Sequence, residues 1–382
     1  MNQATTLKTD WPVNITRHGW LGAEITKERQ SFDLGTAELG ALRELIGKCT
    51  AAGRSYTDIT REEFSHPALN LFLGRMTEEL KWGKGLVFLR GVPVDNYTLD
   101  EIRMLYWGIG THLGTALCQS VVGDRMGDVT PREGASRGYA SNQELDLHTD
   151  YTEIAALLCV HPAKSGGMNI FASSLAIWDI VEREHPEFIP ILMRGFKAWR
   201  FDEHREGQDP MTPYHVPVFG EEDGLRSVYW FWVTADAAAR FVGEPLTASE
   251  TACIKFLYEV AGREELRFSD TLQRGEAVFF SNYEVLHSRT AFVQWEDRAK
   301  SRHLLRLWLQ CTPKRPIPEK MKFYENPSGG LGYDIDPRRI GQEYVKLSDN
   351  PASRFMKEYL AEFYTGKISG MKLIMKRLEE SQ

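Results

Sequence analysis

ELDLHTDYTEIAALLCVHPAKSGGMNIFASS, residues 144–174, decides how this chain is read. Within it, His148 and Asp150 stand two apart, and in an extended backbone residues i and i+2 point to the same face. An imidazole nitrogen and a carboxylate oxygen can then meet one metal ion from neighbouring positions. Ile154–Val160 is an apolar run with the length of a buried strand. Pro162 to Gly167 supplies the turn after it, and Ser174 to Arg183 has helical spacing. A strand, a turn and then a helix therefore follow the candidate ligand pair.

A third ligand has to come from elsewhere. LQRGEAVFFSNYEVLHSRTAF, residues 272–292, supplies it: Glu276–Asn282 is a second apolar strand, and His287 follows it. Two histidines and one carboxylate on one face of a metal leave the opposite positions open, the facial arrangement suited to Fe(II) oxygen chemistry. The plainer reading stands beside it. An H-x-D pair arises by chance in many chains, and a lone histidine after a strand is commonly a satisfied core or surface residue.

The next strand, His303–Gln310, carries Arg306 and is preceded by Arg302. The two arginines share strand parity, so they point together. Leu304, Leu305, Leu307 and Trp308 make the strand largely buried, and inward guanidinium groups are costly unless each meets an anion. The alternative is an exposed edge strand paired with local acids such as Glu296 or Asp297.

Outward from these segments, helical spacing is found over 37–50 and 66–82, and KGLVFLRGVPV from Lys84 reads as a buried strand between glycines. Thr98 and Glu101 form a capping box ahead of Ile102, Leu105, Tyr106 and Ile109. Residues 1–35 read as an extended or loosely structured arm and 119–147 as one long loop ending at His148. The aromatic run Ser227–Val233 reads as a strand, with Trp230 and Trp232 on one face and Tyr229 and Phe231 on the other. One of these faces lines an apolar pocket or packs as core. Residues 247–264 are helical, and Phe355, Met356, Tyr359, Leu360 and Phe363 form the apolar stripe of a C-terminal helix. The expected fold class is mixed α/β with a mainly β core, a sandwich or barrel with helical flanks.

Composition sets the outer bounds. With 42% hydrophobic and 26% charged residues, the chain has ordinary globular usage and ample core material. A net charge of −7 gives no general attraction to nucleic acid. Five scattered cysteines without a CxxC pair argue against a zinc ribbon or a disulfide framework. The N-terminus lacks the apolar run of a signal peptide, and no stretch of about 18 apolar residues is present. A cytoplasmic enzyme without membrane or nucleic-acid partners is expected. Homo-oligomerisation is left open.

Four segments together resemble the TauD/TfdA-like (taurine dioxygenase) family of Fe(II)/2-oxoglutarate-dependent oxygenases: KGLVFLRGVPVDNYTLDE, the 144–174 stretch, the 272–292 stretch and RHLLRLWL at 302–309. The resemblance implies a double-stranded β-helix (jelly roll) with flanking helices and helical insertions. It implies Fe(II) as the metal of His148, Asp150 and His287, and 2-oxoglutarate and O₂ as co-substrates. Arg302 matches the clamp for the 2-oxoglutarate C5 carboxylate, and Arg306 the second arginine of that strand. The family's hydroxyl residue after the double glycine is replaced by Asn169, whose amide can also donate a hydrogen bond. The implied reaction couples oxidative decarboxylation, yielding succinate and CO₂, to hydroxylation, desaturation or cyclisation at a C–H of a small organic molecule. Arg306, Trp230, Trp232 and Asn282 are the substrate-side candidates.

The expected organisation is an N-terminal arm and helices over 1–80, a catalytic domain over 81–312 and a helical extension over 313–382. Two rival functions share the ligand set: a cupin-like hydrolase or isomerase using zinc or manganese, and a silent ligand-binding relative. The first has no need of an inward Arg302.

Overall fold

The structure, a computed structural model, describes residues 7–15, 17–119, 124–131, 141–202, 204, 207–230, 234–322, 349–365 and 367–380. Its strands are β1 (Ser31–Asp33), β2 (Leu86–Arg90), β3 (Thr115–Ala116), β4 (Met126–Val129), β5 (Leu145–His148), β6 (Ile154–His161), β7 (Ser165–Gly166), β8 (Asn169–Ser173), β9 (Phe219–Glu222), β10 (Leu225–Val228), β11 (Arg267–Asp270), β12 (Ala277–Ser281), β13 (Val285–Arg289), β14 (Phe292–Val293) and β15 (His303–Gln310). A seven-stranded sheet runs in the order β1-β2-β12-β6-β15-β3, with β4 also paired to β15. A four-stranded sheet runs β11-β8-β13-β5. Together with the helices this is a mixed α/β fold.

Alternation along the strands divides the apolar residues between two faces. On the large sheet, Val87, Leu89, Ala156, Leu158, Phe279, Leu305 and Leu307 turn outward onto α1 (Thr36–Ala51), α2 (Pro67–Trp82) and α3 (Leu99–Leu113). Their neighbours Leu86, Phe88, Ala155, Cys159, Val278, Phe280, Leu304 and Trp308 turn inward and meet Phe171 and Val285 of the small sheet. Phe171 packs edge-on against Phe280, ring centroids 5.6 Å apart, and joins the two sheets. The outer face of the small sheet, through Leu147, Ala172 and Leu286, is covered by α4 (Ser174–Glu184) and α5 (Ala248–Gly262). The inner space between the sheets is thus sealed by helices on both outer faces.

Most elements follow their sequence signals. The Thr98–Glu101 capping box closes reciprocally, Glu101 N donating to Thr98 Oγ1 and Thr98 N to Glu101 Oε2. Three expectations are corrected. The N-terminal arm is not loose throughout, because β1 pairs in parallel with β2 and Trp11, Trp20 and Ile25 are buried. The stretch 119–147 is not one loop: β4 and β5 lie within it, and each is held by a strand distant in sequence. The aromatic run is strand only as far as Val228, since Tyr229 and Trp230 leave the β9–β10 hairpin and hydrogen-bond to Val218 and Thr149 instead. Phe231, Trp232 and Val233 lie outside the described residues. Among the described residues no helix is long and apolar enough to cross a membrane.

Adjacent phenylalanines separate stability from site geometry. Phe279 faces the helices, whereas the Phe280 ring packs 4.7 Å from the His287 imidazole. Phe279→Ala and Phe280→Ala should each cost about 3–5 kcal/mol in urea denaturation. Only Phe280→Ala should also weaken Mn(II) binding, because only it leaves His287 room to rotate; equal loss of Mn(II) affinity in both would refute this division of roles.

Candidate active site

His148, Asp150 and His287 converge, with one ligand atom from each lying within 4.8 Å of the others. Antiparallel pairing produces this: His287 on β13 stands opposite His148 on β5, so their side chains share a face. The two imidazole rings are 4.2 Å apart. His148 Nδ1 donates to the Asp146 carbonyl at 2.8 Å, which fixes the tautomer and leaves Nε2 free to face the carboxylate. His148 Nε2 lies 3.9 Å from Asp150 Oδ1, and His287 Nε2 lies 3.7 Å from Asp150 Oδ2. The donor set, two imidazoles and a carboxylate at these separations, fits one divalent transition-metal ion.

The segment bearing two of the ligands is gripped from both sides. Asn282 Oδ1 accepts from Asp150 N at 2.8 Å, and its Nδ2 donates to the carbonyls of Asp150 and Thr152 at 2.7 and 2.8 Å. Trp230 N donates to Thr149 Oγ1 at 2.9 Å, and Thr149 N donates back to the Trp230 carbonyl. The Trp230 ring is buried in the core beneath the small sheet. Asn282 and Trp230, expected on the substrate side, are thereby engaged in holding the His-Thr-Asp turn. Below it, Asp146 Oδ2 accepts from Met371 N and so anchors the C-terminal helix Gly370–Glu380 to the strand that ends in His148.

Asp150 is buried yet ionised. Burial pushes its pKa up, but Arg306, His287, His148 and the Trp308 N–H together bring it below the usual carboxylate range. Trp308 Nε1 donates to Oδ2 at 2.8 Å, and Arg306 Nη1 lies 3.9 Å from the same oxygen. Arg306 also donates through Nε to Gln119 Oε1 at 2.7 Å and stacks over the Trp308 ring. Burial, then the adjacent His148, pushes His287 down to about 3, which keeps it neutral as a ligand must be.

Arg302 and Arg306 share the inner face with Leu304 and Trp308, as their parity requires. Arg302 has only 4% of its surface exposed, and its buried Nη1 has no hydrogen-bond partner. Burial pushes it down to about 10. A Cβ on Gly167 would come within 3.3 Å of Arg302 Nε, and one on Gly166 within 2.3 Å of the Ala291 carbonyl. Both glycines also have positive φ, so the double glycine lets the chain pass beside the guanidinium. Asn169 is buried on β8, and its amide has one long contact, to the Asp270 carbonyl at 3.5 Å.

Several residues of the site were not singled out from the sequence. Trp308 lies two positions beyond Arg306 and Arg289 two beyond His287, so parity alone could have placed both on the inner face. Tyr151 carried no such signal. Its ring reaches Tyr229 and Trp308, at 5.7 and 6.2 Å, only through the tertiary fold.

The family described as taurine catabolism dioxygenase TauD, TfdA matches residues 53–308. The chain belongs to this family. It is 29% identical over 320 residues to FR-33289 synthase of Streptomyces rubellomurinus (strain ATCC 31215), covering 81% of this chain and 93% of that protein. It is 24% identical over 306 residues to the taurine hydroxylase-like protein SAT17 of Stachybotrys chartarum (strain CBS 109288 / IBT 7711), covering 75% and 77%. Among solved structures, asparagine oxygenase in complex with Fe(II), 2S,3S-3-hydroxyasparagine and succinate resembles it with a TM-score of 0.58 at 16% identity, over 74% of this chain and 93% of that one. The non-heme iron oxygenase OrfP with Fe and alpha-ketoglutaric acid resembles it at 0.53 and 16%, over 73% and 93%. The protein is accordingly a 2-oxoglutarate-dependent non-haem iron dioxygenase that oxidises a C–H of a small organic molecule and releases succinate and CO₂.

Two outcomes test this account of the site. Trp308→Phe keeps the ring but removes the hydrogen bond to Asp150, so Mn(II) affinity should fall about 10–100-fold; unchanged affinity would discard Trp308 as a positioning residue. Glu153, just after the ligand turn, has its pKa pushed up to about 7 by burial, against the pull of the Cys311 and Arg315 amides. Between about pH 4.5 and 7 the folded state keeps a proton that the unfolded chain has released, so its contribution to stability falls as pH rises through that window. In urea titrations at pH 5 and pH 8, Glu153→Gln should gain on the wild type at pH 8; a difference independent of pH would contradict the assignment.

Proposed function

We propose that His148, Asp150 and His287 hold Fe(II), that Arg302 with Asn169 binds the distal carboxylate of 2-oxoglutarate, and that substrate is received beside Arg306, Tyr151 and Trp308. The observation that carries the reading is Arg302, a buried guanidinium with an unused donor, on the same inner face as the strand residues around the ligand trio. A hydrolase or isomerase on the same three ligands gains nothing from such a group. An arginine fork matches a carboxylate bidentately and keeps its charge in an apolar setting.

Each residue has a physical task. Iron bound at the trio supplies the activation of O₂ against 2-oxoglutarate that ends in succinate, CO₂ and an oxidised substrate C–H. The Asp146 carbonyl and the Trp308 N–H aim His148 and Asp150 toward the point where, with His287, they would hold the metal. Arg302 orients the co-substrate from its far end. Tyr151, Tyr229 and Trp308 form an aromatic wall that excludes water from the inner space, and Arg306 presents a cation to a polar or anionic part of the substrate.

The two facing sheets, with β2-β12-β6-β15 against β11-β8-β13-β5, support a double-stranded β-helix for the core. Residues 81–312 are read as the oxygenase domain, 1–80 as an arm and helices packed on its large sheet, and 313–382 as an extension whose last helix is tied to Asp146. The substrate is read as a small, polar organic molecule, in keeping with the amino-acid-derived product named in the complex of asparagine oxygenase. A cytoplasmic location is in keeping with the scattered thiols, none of which pairs among the described residues.

The test is succinate formation with Fe(II), 2-oxoglutarate and candidate small molecules. Wild type should release succinate in a substrate-stimulated manner, whereas His148→Ala, Asp150→Ala and His287→Ala should release none. Arg302→Lys should lose about 2–5 kcal/mol of co-substrate binding, roughly thirtyfold or more in KM. Ligand binding without succinate would favour the silent relative, and turnover without 2-oxoglutarate would favour a hydrolase or isomerase.

A further inference from the structure

We infer that Arg289 is a second cation of the co-substrate pocket, so that the distal carboxylate of 2-oxoglutarate is taken by two guanidinium groups, Arg289 and Arg302, both packed on Phe292. The inference rests on the reading of Arg302 given above and deepens it.

Arg289 lies two residues beyond His287 on β13, and strand parity turns both side chains into the inner space. Its partner across the ladder is Asn169 of β8, so these two side chains share a face. Arg289 and Arg302 are each only 4% exposed. Their guanidinium carbons lie 4.7 and 4.8 Å from the centroid of the Phe292 ring. Arg289 donates through Nη2 to the carbonyls of Ser141 and Gln143, which ties down the chain leading to His148. That leaves its Nε buried without a hydrogen-bond partner, as Arg302 Nη1 is. Carbonyl oxygens accept hydrogen bonds but carry no full charge, so they do not neutralise a guanidinium.

Among the described residues neither arginine has a carboxylate in ion-pair contact. The charged group that acts on Arg289 is Arg302, and it repels. Two like charges taken out of water and set against one aromatic ring cost several kcal/mol each. The arrangement is reasonable only if an anion completes it. Arg289 pairs with Asn169 across the ladder, Arg302 lies beside Gly167, and both guanidinium groups pack on Phe292, so a carboxylate received by the two would use N–H groups that are now unpaired. The second guanidinium also answers the absence of a hydroxyl side chain at Asn169: the charge supplies what the amide does not.

A loop-supporting role for Arg289 predicts something different, and the difference is measurable. Binding of 2-oxoglutarate and of 2-oxovalerate, which lacks the distal carboxylate, is measured on the Mn(II)-loaded full chain by equilibrium dialysis. Arg289→Gln should lower the preference for 2-oxoglutarate over 2-oxovalerate at least tenfold. Arg289→Lys, which keeps the charge, should restore part of that preference. It also serves as the reserve should the glutamine variant not fold, because loss of the fork alone should still reduce the preference measurably. Equal weakening of both ligands, or no change in their ratio in either variant, would overturn the inference. Arg302→Gln is the control. If it abolishes the preference while the Arg289 variants retain it, Arg289 falls and the co-substrate reading stands; if neither arginine affects the preference, both fall.

Discussion

The molecule is organised around one ionised carboxylate kept out of water. Asp150 stays charged in the interior with an indole N–H and a guanidinium facing it. Asp150 follows β5 of the small sheet and those groups stand on β15 of the large one, so the charge is tolerated only when the sheets are closed on each other. The same closure that desolvates Asp150 brings its compensation. A metal ion at this place would take over part of that compensation, which is why the ligand trio and the fold are not separable.

Strand parity then distributes the chemistry. Inward positions of β13 and β15 alternate apolar packing with functional groups: Val285, His287 and Arg289 on one strand, Leu304, Arg306 and Trp308 on the other. Outward, Leu286 of β13 and Leu305, Leu307 and Leu309 of β15 pack into the clusters that hold the helical layers. The rigid helical covers matter for function because a ligand set must be held to within a fraction of an ångström, and close-packed layers on both outer faces resist the bending that would spread it. The short clamps at the His-Thr-Asp turn complete the task. Asn282 and Trp230 take up backbone groups that a tight turn between two strands would otherwise leave unpaired.

How much of this was legible in the sequence varied with the range of the interaction. His148 and Asp150 were legible because i, i+2 parity is local, and His287 because it follows an apolar strand. Arg302 and Arg306 were legible for the same reason. The family resemblance added what periodicity cannot supply, the identity of the metal and of the co-substrate. By contrast, Trp230 and Asn282 looked like substrate contacts, since an aromatic run and a post-strand amide carry no mark of what they will touch. In the fold both are spent on the backbone of the ligand turn. β1, β4 and β5 were hidden because short edge strands with glycine or charge have weak propensity of their own and exist through their partners.

The sequence by itself determined which residues could act together on one strand: the parity of every buried β segment, the helical spacings, the capping box and the order of the motifs. These are consequences of backbone geometry within a few residues. Only the tertiary structure decided which strands meet, and so that His287 stands across from His148, that Trp308 reaches Asp150, and that Arg289 stands across from Asn169. Such pairings depend on sheet register between segments more than a hundred residues apart, and no local pattern of side chains encodes that register.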